Sequence, residues 1–125
     1  MAKFLICNTC GNIVGVIKDK GVPMSCCAKK MEELVANTVE ASYEKHLPEV
    51  TKTANGIKVK VGSVLHPMIE EHYIDFIYVE TEKGGQRVKL AIGDSPEAEF
   101  CFINDKPLAV YEYCNLHGLW KTEIK

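Results

Sequence analysis

Four cysteines fall between positions 7 and 27 as two close pairs, Cys7 with Cys10 and Cys26 with Cys27. The first pair has the C-x-x-C spacing of a metal knuckle and follows a short apolar strand, Phe4-Leu5-Ile6. A second strand is expected over Asn12–Ile17, then a polar turn from Lys18 to Val22 that contains Gly21. A unit this short cannot bury a sufficient apolar core, so a metal is expected to close it. Four thiolates imply a tetrahedral site for zinc or iron. Free thiols, or a thioredoxin-like pair, are the plainer reading of the same cysteines. An ordinary zinc ribbon would repeat C-x-x-C at the second pair. Adjacent Cys26 and Cys27 should instead make the angles at the metal uneven.

The rest of the composition narrows the setting. A chain of 125 residues is one ordinary domain, or one small domain and a very small one. At 46% hydrophobic it can fill one packed core. The formal net charge is −2, with acids and bases interspersed. No phosphate-binding surface follows from that pattern, which argues against a nucleic-acid partner. No apolar run approaches a membrane span, and the run in Met1-Ala2-Lys3-Phe4-Leu5-Ile6-Cys7 is too short for a signal peptide. The chain is therefore expected to be cytoplasmic, where cysteines serve as ligands or thiols more often than as disulfides.

Beyond the cysteines the pattern is β. Strands are expected at Ile57–Val61, Tyr73–Val79, Arg87–Ile92, Ala98–Ile103, Leu108–Tyr113 and Leu119–Ile124. Turns are marked by Asn55-Gly56, Lys83-Gly84-Gly85, Gly93-Asp94-Ser95-Pro96 and Asn104-Asp105-Lys106-Pro107. Six or seven such strands suggest an antiparallel sandwich, with no convincing helix. Residues 28–42 read as the end of the small domain and a linker. Polar Asn37-Thr38 sets the expected division at 1–36 and 37–125.

A second donor set lies in the larger part. Cys114-Asn115-Leu116-His117-Gly118 puts a thiol and an imidazole three residues apart on a turn between two strands, a rigid seat for a site. The chain has only four histidines, His46, His66, His72 and His117. Each alone reads as a surface or core residue. His66 and His72 can share a metal only if Pro67-Met68-Ile69-Glu70-Glu71 curls back as a loop. Taken with Cys114 they make four nitrogens and one sulfur. Five ligands suit iron or copper better than a structural zinc, which prefers four. An electron-carrying copper protein would want a methionine shortly after His117, where Leu119, Trp120 and Lys121 stand. A zinc-stapled binding module would leave the histidines and Cys114 unexplained.

These motifs resemble those of the desulfoferrodoxins, a family of two-iron superoxide reductases. The resemblance covers essentially the whole chain, in the family's order. Its motifs are Cys7-x-x-Cys10 with Cys26-Cys27, Glu44-Lys45-His46, His66-Pro67-Met68 with His72, and Cys114-Asn115-Leu116-His117-Gly118. It implies a mainly β protein with two iron ions. A rubredoxin- or desulforedoxin-like domain would bind one through Cys7, Cys10, Cys26 and Cys27. An immunoglobulin-like sandwich would bind the other square-pyramidally, with His46, His66, His72 and His117 equatorial and Cys114 axial. The implied reaction is one-electron reduction of superoxide to hydrogen peroxide, with electrons from an external donor such as rubredoxin. A homodimer is implied as well.

Four neutral imidazoles would leave the face opposite the thiolate open, and an axial thiolate pushes electron density through the metal. Glu44 and Lys45, by charge alone, are two solvated side chains. Beside His46, and given the resemblance, they become catalytic candidates: Lys45 to attract the anion, Glu44 to aid peroxide release. Cys101 is expected to be an inert thiol buried in a core strand. Met68 and Trp120 are expected to pack, with Trp120 also shielding the site.

Overall fold

The apolar stretches of the first part are too brief to pair for more than a few residues. In the computed structural model, which describes residues 1–125, β1 (Phe4–Ile6) pairs antiparallel with β2 (Ile13–Gly15) and with β5 (Glu32–Glu33). A second ribbon joins β3 (Ser25–Cys26) to β4 (Lys29–Lys30). These belong to a compact unit of residues Met1–Val35; the other unit is Ala36–Lys125. The buried core of the first unit is Leu5, Cys7 and Met31, with Val14 and Val16 packed against it. That is far too little apolar burial to hold a fold unaided.

The ribbon turns on Cys27 and Ala28, both in the left-handed region, with φ of 52° and 60°. Two-residue hairpin turns of this kind ordinarily use Asn-Gly. A Cβ in this conformation costs about 1–2 kcal/mol. The chain accepts that cost where it presents two adjacent cysteines to one point.

The second unit is a sandwich of seven antiparallel strands, the count of an immunoglobulin-like constant fold. They are β6 (Pro48–Lys52), β7 (Gly56–Val61), β8 (Ile74–Thr81), β9 (Gly84–Lys89), β10 (Glu97–Cys101), β11 (Pro107–Cys114) and β12 (Gly118–Glu123). One sheet has the order β10-β7-β6 and the other β12-β11-β8-β9. Period-two alternation turns Val59, Val61, Ile77, Val79 and Val110 inward, and all five are fully buried.

Four features depart from the sequence expectations. A single helical turn, α1 (Tyr43–His46), precedes Pro48; four residues are too few to show a helical period. β6 was not expected, since Pro48-Glu49-Val50-Thr51-Lys52 has little apolar character. β9 begins at Gly84 rather than Arg87, because the two glycines taken as a turn belong to the ladder. A Cβ on Gly85 would stand 1.9 Å from the Tyr78 hydroxyl, so only glycine fits under that ring. Cys101 is exposed, not a core thiol: along β10 the inward position goes to Phe100, and the next residue must face out.

The strained turn makes a prediction. Ala28→Gly should stabilise the protein against denaturant by about 1 kcal/mol, and Ala28→Val should destabilise it by at least as much. Equal midpoints for the three proteins would show that the turn stores no strain.

Candidate metal centres

In the first unit the four cysteines expected to act together do converge, and none is in a disulfide. Their ligand atoms all lie within 4.8 Å of one another. Cys10 and Cys26 Sγ are 3.6 Å apart, and Cys26 and Cys27 Sγ 4.0 Å. The Cys10 backbone N–H is the main influence holding the Cys7 thiol down to about 6; the neighbouring Cys10 sulfur first of all pushes Cys27 up to about 12. Four sulfurs this close cannot all be thiolates without a cation among them. The set therefore fits a thiophilic metal ion.

The second set is assembled from three loops at one end of the sandwich. α1 delivers His46. Its first turn is met by the loop after β7, where the Val64 N–H and the Ser63 hydroxyl both donate to the Glu44 carbonyl, at 3.1 and 3.2 Å. Gly62 permits this approach: its φ is +82°, and a Cβ would fall 2.6 Å from the Glu44 carbonyl oxygen. The same loop carries His66. The segment after Pro67 curls back, as sharing a metal requires, through paired backbone bonds between Ile69 and His72 of 3.0 and 3.1 Å. Cys114 ends β11, and His117 lies on the short connection to β12.

Asn115 ties the last two loops together. Its carboxamide oxygen accepts from the Tyr73 N–H at 2.8 Å, and its NH2 donates to the Glu71 carbonyl at 3.0 Å. Sequence reasoning quoted Asn115 only as part of a motif. An amide between two ligand positions was the available signal.

The backbone also sets the tautomers. His46 Nδ1–H donates to the Ser42 carbonyl and His66 Nδ1–H to the Pro67 carbonyl, both at 2.7 Å. Each Nε2 is then a bare lone pair, and the two face one another at 3.2 Å. His117 Nδ1 approaches His46 Nε2 at 3.1 Å and Cys114 Sγ at 3.9 Å. His72 Nε2 is buried with no hydrogen-bond partner. The ligand atoms of His46, His72, Cys114 and His117 lie within 4.8 Å of one another, and His66 joins them through His46.

Burial holds His66 down to about 4 and lowers His46 and His72, which favours the neutral form that a metal ion binds. Burial likewise raises the Cys114 thiol, which a cation would deprotonate. Two bare nitrogens facing one another, with His72, His117 and Cys114 beside them, fit a bound metal ion.

His46, His66 and Cys114 are buried, while the His72 and His117 rings are half-buried and reach water, although His72 Nε2 itself is buried. Glu44 and Lys45 are both exposed, and Lys45 is near enough for its charge to act on His46 and His72. Met68 packs on the core and its sulfur accepts from the Ile74 N–H at 3.3 Å. Trp120 is fully buried and stacks on His46.

Glu112 is the group sequence reasoning passed over: fully buried, neither carboxylate oxygen partnered, and its pKa raised well above the ordinary range by burial.

The Desulfoferrodoxin family model matches residues 38–123. A desulfoferrodoxin of Syntrophotalea carbinolica is 50% identical over 117 residues, covering 94% of this chain and 92% of the relative. The crystal structure of the superoxide reductase from Treponema pallidum superposes with a TM-score of 0.83 at 35% identity, covering 98% of this chain and 99% of that one. The superoxide reductase (1Fe-SOR) from Giardia intestinalis gives a TM-score of 0.54 at 28% identity. It covers 66% of this chain and 98% of that one.

Glu112 yields a prediction with a definite sign. A carboxyl whose pKa is raised on folding contributes stability below its unfolded value and loses it as pH rises. Glu112→Gln cannot ionise, so its stability advantage over the native protein should widen from pH 5 to pH 8 in denaturant titrations. A constant or narrowing gap would contradict the burial of that carboxyl.

Proposed function

The chain belongs to the desulfoferrodoxin family, and from that premise we propose how its residues divide the work. The protein is a superoxide reductase with two iron ions per chain: it reduces superoxide by one electron to hydrogen peroxide, taking up two protons. The observation that carries this reading is the convergence of four imidazole nitrogens and the Cys114 sulfur, on the side where the His72 and His117 rings reach water. Iron bound there supplies the electron and the Lewis acidity that superoxide reduction needs.

His46, His66 and His72 would hold that iron through Nε2, His117 through Nδ1, and Cys114 through its sulfur. Ser42 and Pro67 fix the imidazoles by accepting their outer N–H groups. Trp120 excludes water from one face of His46. Lys45, exposed and acting on His46 and His72, attracts the superoxide anion toward the accessible side. Glu44 lies on the same turn, its backbone pinned and its carboxylate exposed. That carboxylate would offer the iron an anionic oxygen donor. Residues 1–36 form the second iron domain, with Cys7, Cys10, Cys26 and Cys27 as ligands, and residues 37–125 the catalytic one. The family model, which matches residues 38–123, supports that division.

Electrons come from an external one-electron carrier, rubredoxin or a similar protein. The enzyme works in the cytoplasm, where it removes superoxide; no helix is long and apolar enough to cross a membrane. It works as a homodimer. Ile17, Val22 and Met24 of the small unit are exposed, and Val22 and Met24 border a groove of about 640 Å³ that a second copy would cover.

The test is rapid mixing of the pre-reduced protein with superoxide at several salt concentrations. Peroxide should form without dioxygen, and the rate should fall as salt rises. Lys45→Ala should lower the rate by about tenfold and flatten its salt dependence, the scale of electrostatic steering. Dioxygen evolution would contradict reduction, and equal rates and salt slopes would remove Lys45 from the mechanism.

A further inference from the structure

Three aromatic rings run in contact from solvent to a ligand of the candidate metal centre. Trp120 is wholly buried and stacks on the His46 imidazole, with ring centroids 5.0 Å apart and planes 25° apart. Its indole N–H donates to the His117 carbonyl at 3.1 Å, which fixes the ring in that place. Tyr43 meets Trp120 edge-on, with centroids 5.2 Å apart and planes at 77°. Tyr43 is 57% exposed. Tyr43 thus presents one side to water and packs against the buried indole. The far end of the row is His46 Nε2, which points into the convergent donor set.

We propose that Tyr43 and Trp120 are the route by which electrons enter the catalytic site, and that a one-electron carrier protein docks at Tyr43. This rests on the superoxide reductase reading. That reaction uses one electron per superoxide, and the oxidised site must recover it from outside. In the recovery step the carrier loses one electron and the oxidised site gains it. No bond forms or breaks, and both rings stay neutral as a bridge of aromatic groups in contact. The accessible edges of His72 and His117 are open to small reductants. A protein seated over them would cover the opening that superoxide uses, whereas a protein seated on Tyr43 touches the ring that leads to His46.

The experiment compares two donors on the oxidised protein in a stopped-flow instrument: reduced rubredoxin and ascorbate. Re-reduction is read from loss of the sulfur-to-iron colour, and the midpoint potential is measured separately. Tyr43→Leu keeps apolar bulk and removes the ring. It should slow reduction by rubredoxin about tenfold and leave the ascorbate rate and the potential unchanged. Tyr43→Phe keeps the ring and should behave as the native protein. Native rates with rubredoxin in Tyr43→Leu would overturn the proposal. Equal slowing with both donors would also overturn it, by showing that Tyr43 only supports the site. The underlying reading fails separately: pre-reduced native protein that made no peroxide from superoxide would sink it, while the donor comparison would still report on Tyr43.

Discussion

Two bare imidazole nitrogens facing each other at 3.2 Å repel, and the architecture of the larger unit is arranged to hold them so. Ser42 and Pro67 take the outer protons of His46 and His66, leaving no proton to bridge the inner nitrogens. His72 adds a buried nitrogen with no partner, and His117 adds a third contact at 3.1 Å. A cation at the centre relieves all of these at once. The fold supplies the opposing force. Each ligand sits on a loop cross-tied to another, by Gly62 and Ser63 against α1 and by Asn115 against the His72 loop. Those loops stand on strands whose inward residues are fully buried.

The two units depend on metal to different degrees. The sandwich has a continuous aliphatic core and would hold its shape with the site empty. The small unit has four buried residues and a hairpin turn with two left-handed non-glycine residues. The neighbouring sulfurs, Cys10 first, raise its Cys27 thiol to about 12, the mark of a group awaiting a shared positive charge. In the first unit metal binding supplies folding energy; in the second it completes a site that packing has already shaped.

Much of this was legible in the sequence because ligand chemistry is local. The Cys7–Cys10 spacing, the adjacent Cys26 and Cys27, and the Cys114–His117 turn are read from a few residues each. Period-two alternation gave most strands. What the sequence concealed depends on neighbours far along the chain. Gly84 and Gly85 read as a turn, yet Tyr78 claims the space where a side chain would go. Cys101 read as core, yet the register of β10 gave the inward place to Phe100. Glu112 alternated as an ordinary strand residue, and only the packed sandwich shows it sealed without a partner. Trp120 joins Tyr43 and His46, a pair three apart on α1, from a position that no spacing rule connects to them.

The central claim is that Cys114 and the four histidines hold one iron and that the thiolate governs its chemistry. The most direct test compares two cysteine-to-serine changes, at buried Cys114 and exposed Cys101. Cys114→Ser exchanges a soft, strongly donating sulfur for a hard, weak oxygen. It should abolish the sulfur-to-iron absorption of the oxidised catalytic site and reduce superoxide reduction far more than iron content. Cys101→Ser, at the surface, should keep colour, iron and activity. Retained colour in Cys114→Ser, or lost colour in Cys101→Ser, would contradict the account.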